Sequence, residues 1–137
     1  MRDFKFSISV EVRFRDLDAF GHVNNAVYIT YFEIARSSYW MQLFGIQSFE
    51  ELGFVVVRTE CNYRSPLHFG ETIRVAAGVS ELRNSSFVFE YELTEEKKGR
   101  LIADGKSVQV FIDPQGKQKV LIPAVVRQRV AEFEGIS

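Results

Sequence analysis

The sequence predicts an α+β domain in which a five-stranded antiparallel sheet curls around one long helix. Three observations lead to this fold class: alternation of apolar and polar residues in five segments, one long segment with apolar residues at steps of three and four, and short polar connections between the later strands. No second long helix separates the last four strands, which favours an antiparallel sheet. The 137 residues are expected to form a single domain, residues 1–137.

Alternation with a period of two predicts the strands. The first segment is the clearest, because every second residue from Phe4 to Phe14 is apolar, and we place a strand at about residues 4–15. Similar patterns predict the other strands at residues 54–64, 72–81, 87–93 and 101–112. Gly105 interrupts the last of these, which indicates a bulge or a bend.

The long helix is predicted at residues 26–44. Its side chains form two adjacent rows, which are Tyr28, Phe32, Ala35, Tyr39 and Leu43, and Val27, Tyr31, Ile34, Ser38 and Met41. Asn24 or Asn25 is expected to cap the start, and Gly45 is expected to end the helix. Because polar side chains are few, we expect other structure to wrap this helix.

Turn residues predict the connections between the later elements. Residues 83–86 and 95–99 are expected to form hairpin turns between consecutive strands. Residues 113–116 place Asp, Pro and Gly where a type I turn prefers them. Pro123 suits the first position of a short terminal helix.

Charge and cysteine content exclude several classes of protein. Seventeen basic and eighteen acidic residues give a net charge of −1, which argues against a nucleic-acid partner. Cys61 is the single cysteine, so no internal disulfide forms, and a cytoplasmic location is expected. The first strand starts almost at Met1, and no apolar run approaches the roughly 20 residues of a membrane span, so neither a signal peptide nor a membrane partner is expected.

Residues 15–28, between the first strand and the long helix, contain the side chains best suited to chemistry. The first amides of a helix lack internal acceptors and carry the positive end of its dipole, so they can stabilise a developing oxyanion. A nearby carboxylate such as Asp18 can attack a carbonyl or take a proton from water. The alternative is that Asp and Asn in this loop only satisfy backbone groups. The residue pattern alone leaves both interpretations open.

Two motifs resemble the hot-dog-fold acyl-CoA thioesterases. The first is Asp16–Asn25 followed by Tyr28, Tyr31-Phe32-Glu33 and Ala35-Arg36, and the second is Tyr63-Arg64-Ser65-Pro66 followed by Gly70-Glu71. The nearest group is the 4-hydroxybenzoyl-CoA thioesterase-like branch. The resemblance implies hydrolysis of acyl-CoA to free acid and coenzyme A, without a cofactor.

The resemblance also assigns roles within the loop. Asp18 falls on the catalytic carboxylate, as nucleophile or as general base. The amide of Asn24 falls on the oxyanion contact, and Val23 is a second candidate donor. Asn25 stands where some members have histidine, so it can hold water or a carbonyl but cannot carry a proton near neutral pH. His22 is expected either to bond its own loop or to contact the substrate.

Further candidates lie outside this loop. Tyr63, at the exit of the second strand, is a candidate substrate contact. The resemblance implies that Arg83, in a hairpin, contacts the phosphates of coenzyme A, and the alternative is a solvated turn. His22 and His68 are expected to be distant, and with one cysteine they predict no metal site. Neither a Gly-x-Ser-x-Gly elbow nor a glycine-rich phosphate loop occurs.

Assembly is predicted from the second strand, because residues 54–57 are apolar on both faces. A second copy of the chain is expected to cover the exposed face. The resemblance implies a homodimer or homotetramer with active sites at the seam between subunits.

Two other functions remain open at this stage. The same fold contains enoyl-thioester hydratases and dehydratases, which rely on a histidine and a carboxylate, and His22 is the one histidine in the right region. Water addition to an enoyl-CoA would identify them. A non-catalytic acyl-CoA binding module would show saturable binding without turnover.

Overall fold

The computed structural model describes residues 3–45, 53–116 and 118–136. Within these residues, five strands form one antiparallel sheet in the order β1-β3-β4-β5-β2. The elements in chain order are β1 (Ser7–Glu11), α1 (Asn25–Phe44), β2 (Phe54–Tyr63), β3 (Thr72–Leu82), β4 (Ser86–Glu95), β5 (Leu101–Phe111) and α2 (Ala124–Glu134), with a short 3-10 helix at Phe14–Asp16. The predicted fold class is confirmed.

β1 is shorter than the strand predicted at residues 4–15. Its pairing with β3 ends where Glu11 lies opposite Thr72, the first residue of β3, so the alternation beyond this point has no partner strand. The chain turns there into the 3-10 helix, and Phe14 is 78% exposed. Alternation alone therefore extended the predicted strand too far.

α1 ends at Phe44 as predicted and begins at Asn25, one residue before the predicted start. The side chain of Asn24 accepts a hydrogen bond from the Ala26 N–H at 2.9 Å, and Gly45 closes the helix with a φ of +67°. One face is buried against the sheet, and its buried residues are Tyr28, Tyr31, Phe32, Ala35, Tyr39 and Trp40. Ile34 and Met41 in the second predicted row remain 42% and 43% exposed, because one sheet covers only one side of a helix. Within one chain the sheet therefore wraps one face of the helix and leaves part of the opposite face exposed.

Gly105 lies in a regular part of β5, paired with Cys61 and Tyr91, so the predicted bulge at this position is wrong. The register with β4 shifts three residues earlier, near Ile102. Gly105 instead permits a close contact, since a Cβ there would lie 2.7 Å from the Phe32 ring. That ring stacks on Tyr91 with centroids 4.4 Å apart. The glycine therefore allows α1 to approach the sheet.

The predicted turns are confirmed, with one shift at the second helix. The Arg83 N–H donates to the Ser86 carbonyl at 2.8 Å in the first hairpin, and Gly99 donates to Glu95 at 2.8 Å in the second. Pro123 occupies the N-cap position of α2 instead of the predicted first helical position, so the helix begins one residue later, at Ala124. The Glu134 carboxylate holds α2 to the sheet.

β2 forms one edge of the sheet, and its first half is exposed. Val55, Val56 and Val57 are 43%, 40% and 59% exposed. The register with β5 shifts between Val56 and Arg58, so a bulge interrupts the strand there. None of the helices in the described residues is long and apolar enough to cross a membrane.

Candidate active site

Two loops meet at the start of α1. The Asp18 loop comprises residues 17–24, and the Leu67 loop comprises residues 64–71, directly after β2. An antiparallel bridge joins His22 to His68, and the Val23 N–H donates to the Leu67 carbonyl at 2.9 Å. These bonds hold the Asp18 loop beside the end of β2.

Asp16, directly before the Asp18 loop, is buried and stabilises the local structure. Its Oδ1 accepts a hydrogen bond from the Arg13 guanidinium at 2.9 Å. Its Oδ2 accepts one from the Arg13 N–H at 3.0 Å and one from the Tyr31 hydroxyl at 2.9 Å. Burial raises the pKa of Asp16, but the bonds from Arg13 and Tyr31 outweigh burial and hold the pKa below its ordinary value. Both oxygens are thus occupied.

Asp18, unlike Asp16, borders open space, on the wall of a cavity of about 310 Å³. Its Oδ1 accepts hydrogen bonds from the Phe20 N–H at 2.9 Å and the His22 N–H at 3.2 Å. Gly21 closes the loop with a φ of +80°, a conformation that glycine adopts without strain. Among the described residues, no hydrogen bond reaches Oδ2. The loop therefore holds one oxygen of the carboxylate and leaves the other open for chemistry.

The amides predicted as oxyanion donors are already occupied. The Asn24 N–H donates to the Asp16 carbonyl at 2.9 Å, and the Val23 N–H donates to Leu67. Neither amide is available to a substrate in this arrangement. Asn25, the first residue of α1, lines the cavity, and its N–H has no acceptor within the described residues. The structure therefore moves the candidate donor one residue along the chain.

Two tyrosines form an aromatic wall of the cavity. The rings of Tyr28 and Tyr63 lie with centroids 5.0 Å apart, and the Tyr63 hydroxyl donates to the Asn25 carbonyl at 3.0 Å. Burial raises the pKa of both hydroxyls. The cavity is lined by Asp18, His22, Val23, Asn25, Tyr28, Tyr63, Arg64, Ser65 and Pro66. Five of the seven predicted site residues line this cavity. Tyr28, which borders both the cavity and the core, also lines it.

The two histidines, expected to be distant, are in contact. Their ring centroids lie 5.2 Å apart with the planes at 74°, because the bridge between the two loops places one backbone beside the other. In the part of the chain that the structure describes, no group of three His, Cys, Asp or Glu residues is arranged to hold a metal ion.

The sequence profile of the thioesterase-like superfamily matches residues 12–130, which include both loops. The chain belongs to the thioesterase-like superfamily. It is 28% identical to the long-chain acyl-CoA thioesterase FadM of Escherichia coli (strain K12) over 129 residues, which are 90% of this chain and 96% of FadM. It is 32% identical to the acyl-CoA thioesterase YbgC of Haemophilus influenzae over 132 residues, which are 93% and 95% of the two chains.

The fold of this thioesterase also matches a solved structure. A thioesterase from Thermus thermophilus, crystallised with coenzyme A and Zn, has a TM-score of 0.89 and 36% sequence identity. The match covers 100% of this chain and 99% of that one. The predicted hot-dog fold and the predicted enzyme class, a thioester hydrolase, are confirmed.

Arg83 does not join the thioesterase site within one chain. It follows β3 at the hairpin, and its Nε donates to Glu81 at 2.5 Å. Strand pairing places this hairpin near Val55, whereas the cavity lies at Tyr63, the other end of β2. Eight residues of strand separate these positions, or about 26 Å. A contact between Arg83 and the substrate of Asp18 therefore requires a second copy of the chain.

Arg64 is a cavity residue to which sequence reasoning assigned no role. Its guanidinium donates to both oxygens of Asp104, at 3.0 and 3.2 Å. The hydrogen bond from Arg64 lowers the pKa of Asp104 and raises that of Arg64. The Tyr63-Arg64-Ser65-Pro66 motif contained the signal, but a motif alone does not say which way a side chain points.

Proposed function

We propose that this thioesterase hydrolyses acyl-CoA at the cavity beside Asp18, releasing free acid and coenzyme A. The observation that carries the proposal is the open Oδ2 of Asp18 on a cavity that Asn25, with its unoccupied amide, also lines. The names of similar proteins support the same chemistry, because FadM and YbgC are acyl-CoA thioesterases.

The geometry supports a division of roles. The Asn25 N–H, at the positive end of the α1 dipole, binds the thioester oxygen as it becomes an oxyanion. Asp18 either takes a proton from the attacking water or attacks the acyl carbon directly. In both routes the carbon–sulfur bond breaks, and water supplies the second oxygen of the acid. Asn25 also offers a side-chain amide to water or substrate.

The family branch, the cellular location and the lack of a cofactor are each proposed from a different observation. The motif at Asp16–Asn25 supports the 4-hydroxybenzoyl-CoA thioesterase-like branch. The single Cys61 supports a cytoplasmic location, because no internal disulfide requires an oxidising compartment. A carboxylate, an amide donor and water suffice for the chemistry, so we expect no cofactor. Dialysis against a metal chelator should leave kcat unchanged, and loss restored by added metal would contradict this expectation.

A homodimer, or a homotetramer built from it, is proposed from the β2 edge. Its exposed valines offer unpaired backbone groups and apolar side chains to a second copy. Antiparallel pairing of two β2 strands would place the start of one beside the end of the other. Arg83 of the second copy would then approach the cavity, where it could contact coenzyme A phosphates.

Sedimentation velocity on wild type and Val57→Lys tests this assembly. The exposed lysine should oppose strand pairing, so the variant should shift to monomer and lose activity. A fully active wild-type monomer at micromolar concentration would refute a site at the seam.

Thiol release from a panel of acyl-CoA substrates tests the function. Wild type should release thiol, and Asp18→Asn should lower kcat by about a thousandfold, as expected when the acting carboxylate is lost. Asp3→Asn is the matched control, because Asp3 is an exposed carboxylate that is not among the described residues lining the cavity. Equal rates for wild type and Asp18→Asn would remove Asp18 from the mechanism, and binding without turnover in wild type would indicate a non-catalytic module.

A further inference from the structure

His22 belongs to the same cavity as Asp18 and is joined to it through the backbone. The His22 N–H donates to Oδ1 of Asp18, and the Asp18 N–H donates to the His22 carbonyl at 2.7 Å. His22 is one of the residues that line the cavity, and its ring rests edge to face against the ring of His68. The orientation of the His22 ring therefore depends on His68.

His68 is itself fixed by a chain of hydrogen bonds. Glu71 accepts the His68 N–H at 2.8 Å and faces Nδ1 of the ring at 3.3 Å. Arg100 donates to both carboxylate oxygens of Glu71, at 3.2 and 3.1 Å, and to the Pro66 carbonyl at 3.1 Å. Burial raises the pKa of Glu71, but the bonds from His68 and Arg100 outweigh burial and lower the pKa. Because the carboxylate stays ionised, Nδ1 of His68 is the donor in that pair.

Thioester hydrolysis creates a demand for a proton. The departing sulfur of coenzyme A is an alkyl thiolate, whose conjugate acid resembles a cysteine thiol with a pKa of about 8.5. Protonation of the sulfur as the bond breaks avoids expelling this basic anion into a cavity beside a carboxylate.

Few side chains of the cavity can supply that proton. Burial raises the pKa of Tyr28 and Tyr63, and Asp104 raises that of Arg64, so all three are weaker acids than usual. Asp18 is needed as base or nucleophile. Imidazole can both donate and regain a proton between about pH 5 and 8. Among the described residues that line the cavity, the remaining one with an ionisable side chain is His22.

We propose that His22 donates a proton to the departing coenzyme A sulfur and that His68 is a positioning residue, which holds the His22 ring toward the cavity. This inference rests on the proposed thioesterase function. In the general-base route, water loses a proton to Asp18 and its oxygen bonds to the acyl carbon. The carbon–sulfur electron pair moves to sulfur, which takes the proton from a ring nitrogen of His22. The Asp18 proton then leaves to solvent, and His22 is reprotonated.

Charged groups lie on each side of His22. Asp18 is on the same loop and accepts the His22 backbone N–H. His68 packs against the His22 ring, and Glu71 lies behind His68. Arg100 lies beyond Glu71, and Arg64, which also lines the cavity, is paired with Asp104.

Leaving-group dependence tests the role of His22. Wild type and His22→Gln are compared on hexanoyl-CoA and on the hexanoyl thioester of 4-nitrothiophenol, whose thiolate is stable without a proton. We expect His22→Gln to lower kcat about a hundredfold on hexanoyl-CoA but less than about threefold on the aryl thioester. An equal loss on both esters, or no loss on hexanoyl-CoA, overturns the proposal.

A second variant tests the positioning role. His68→Phe keeps a ring against His22 but removes the bond to Glu71, so kcat should fall several-fold on hexanoyl-CoA only, and thermal melting should show a folded protein. Phe69→Leu, an exposed neighbour in the same loop, is the control and should match wild type. Wild-type rates for His68→Phe on both esters remove the positioning role.

The wild-type pH profile gives a test that needs no variant. Proton donation by an imidazole predicts that the kcat for hexanoyl-CoA falls on the alkaline side, whereas the kcat for the aryl thioester does not. Identical profiles overturn the role of His22 while leaving hydrolysis established. If wild type releases thiol from neither ester, the proposed thioesterase function itself fails.

Discussion

Asp16 and Asp18 lie two residues apart, but the structure gives their carboxylates opposite surroundings. Asp16 is 2% exposed, and both its oxygens accept hydrogen bonds from Arg13 or Tyr31. Asp18 is held through one oxygen by amides of its own loop, and it borders the cavity. The same side chain thus stabilises the fold at one position and remains open for chemistry two residues later. Hydrogen-bond saturation, rather than residue type, separates the two roles.

The largest effect should appear when both positions receive the same substitution. Asp16→Asn should lower the free energy of unfolding by about 3 kcal/mol. Both carboxylate oxygens of Asp16 accept hydrogen bonds, so the NH2 group of an asparagine would face a donor in either orientation of the amide. Asp18→Asn should change it by less than about 0.5 kcal/mol, since the amide oxygen still accepts the loop N–H bonds. Urea unfolding at pH 7 measures both. Equal destabilisation by the two variants would break the comparison.

Asn25→Pro tests the proposed role of the Asn25 N–H as the oxyanion donor. Proline removes the N–H at the first position of α1, where it is tolerated, and Asn24 already has the extended ψ of 136° that precedes proline. We expect kcat to fall about a hundredfold, the usual cost of one oxyanion donor, with the melting temperature nearly unchanged. Asn25→Ala is the control, because it removes the side chain and keeps the amide. Similar kcat values for the two variants would assign the effect to the side chain.

The smallest effect concerns acid stability. The folded-state pKa of Asp16 is lowered, so its contribution to stability is present above about pH 4 and is lost as pH falls through the folded pKa. The difference in unfolding free energy between wild type and Asp16→Asn should therefore shrink below about pH 4. Unfolding at pH 7, 5, 4 and 3 measures it. A difference that stays constant to pH 3 would mean that the charge of Asp16 contributes nothing.

Local pattern predicted much of this molecule. Apolar spacing located α1, alternation located β2 to β5, and the Asp16–Asn25 motif located the carboxylate that lines the cavity. These features depend on residues close in sequence, so a single segment contains the information.

The errors share one physical origin, which is contact between distant segments. The occupied amide of Val23 depends on Leu67, and His22 meets His68 only because the exit of β2 lies beside the Asp18 loop. The position of Arg83 depends on sheet order, which alternation does not encode. The over-long first strand depends on where β3 begins. Contacts between segments far apart in the sequence determined the structure at each of these positions.

The strand order has a consequence for the length of α1. β1 and β2 lie at opposite edges of the sheet, so the segment that joins them must cross its full width. Four strand spacings amount to about 19 Å, and the 20 residues of α1 extend about 30 Å, enough to cross the sheet on a diagonal. Deleting one turn would rotate the C-terminal end of α1 and move it away from the edge of the sheet that β2 occupies. Added residues at the 95–99 hairpin would leave the path of α1 across the sheet unchanged. Natural variation in chain length among close homologues should therefore concentrate in that hairpin and spare the helix.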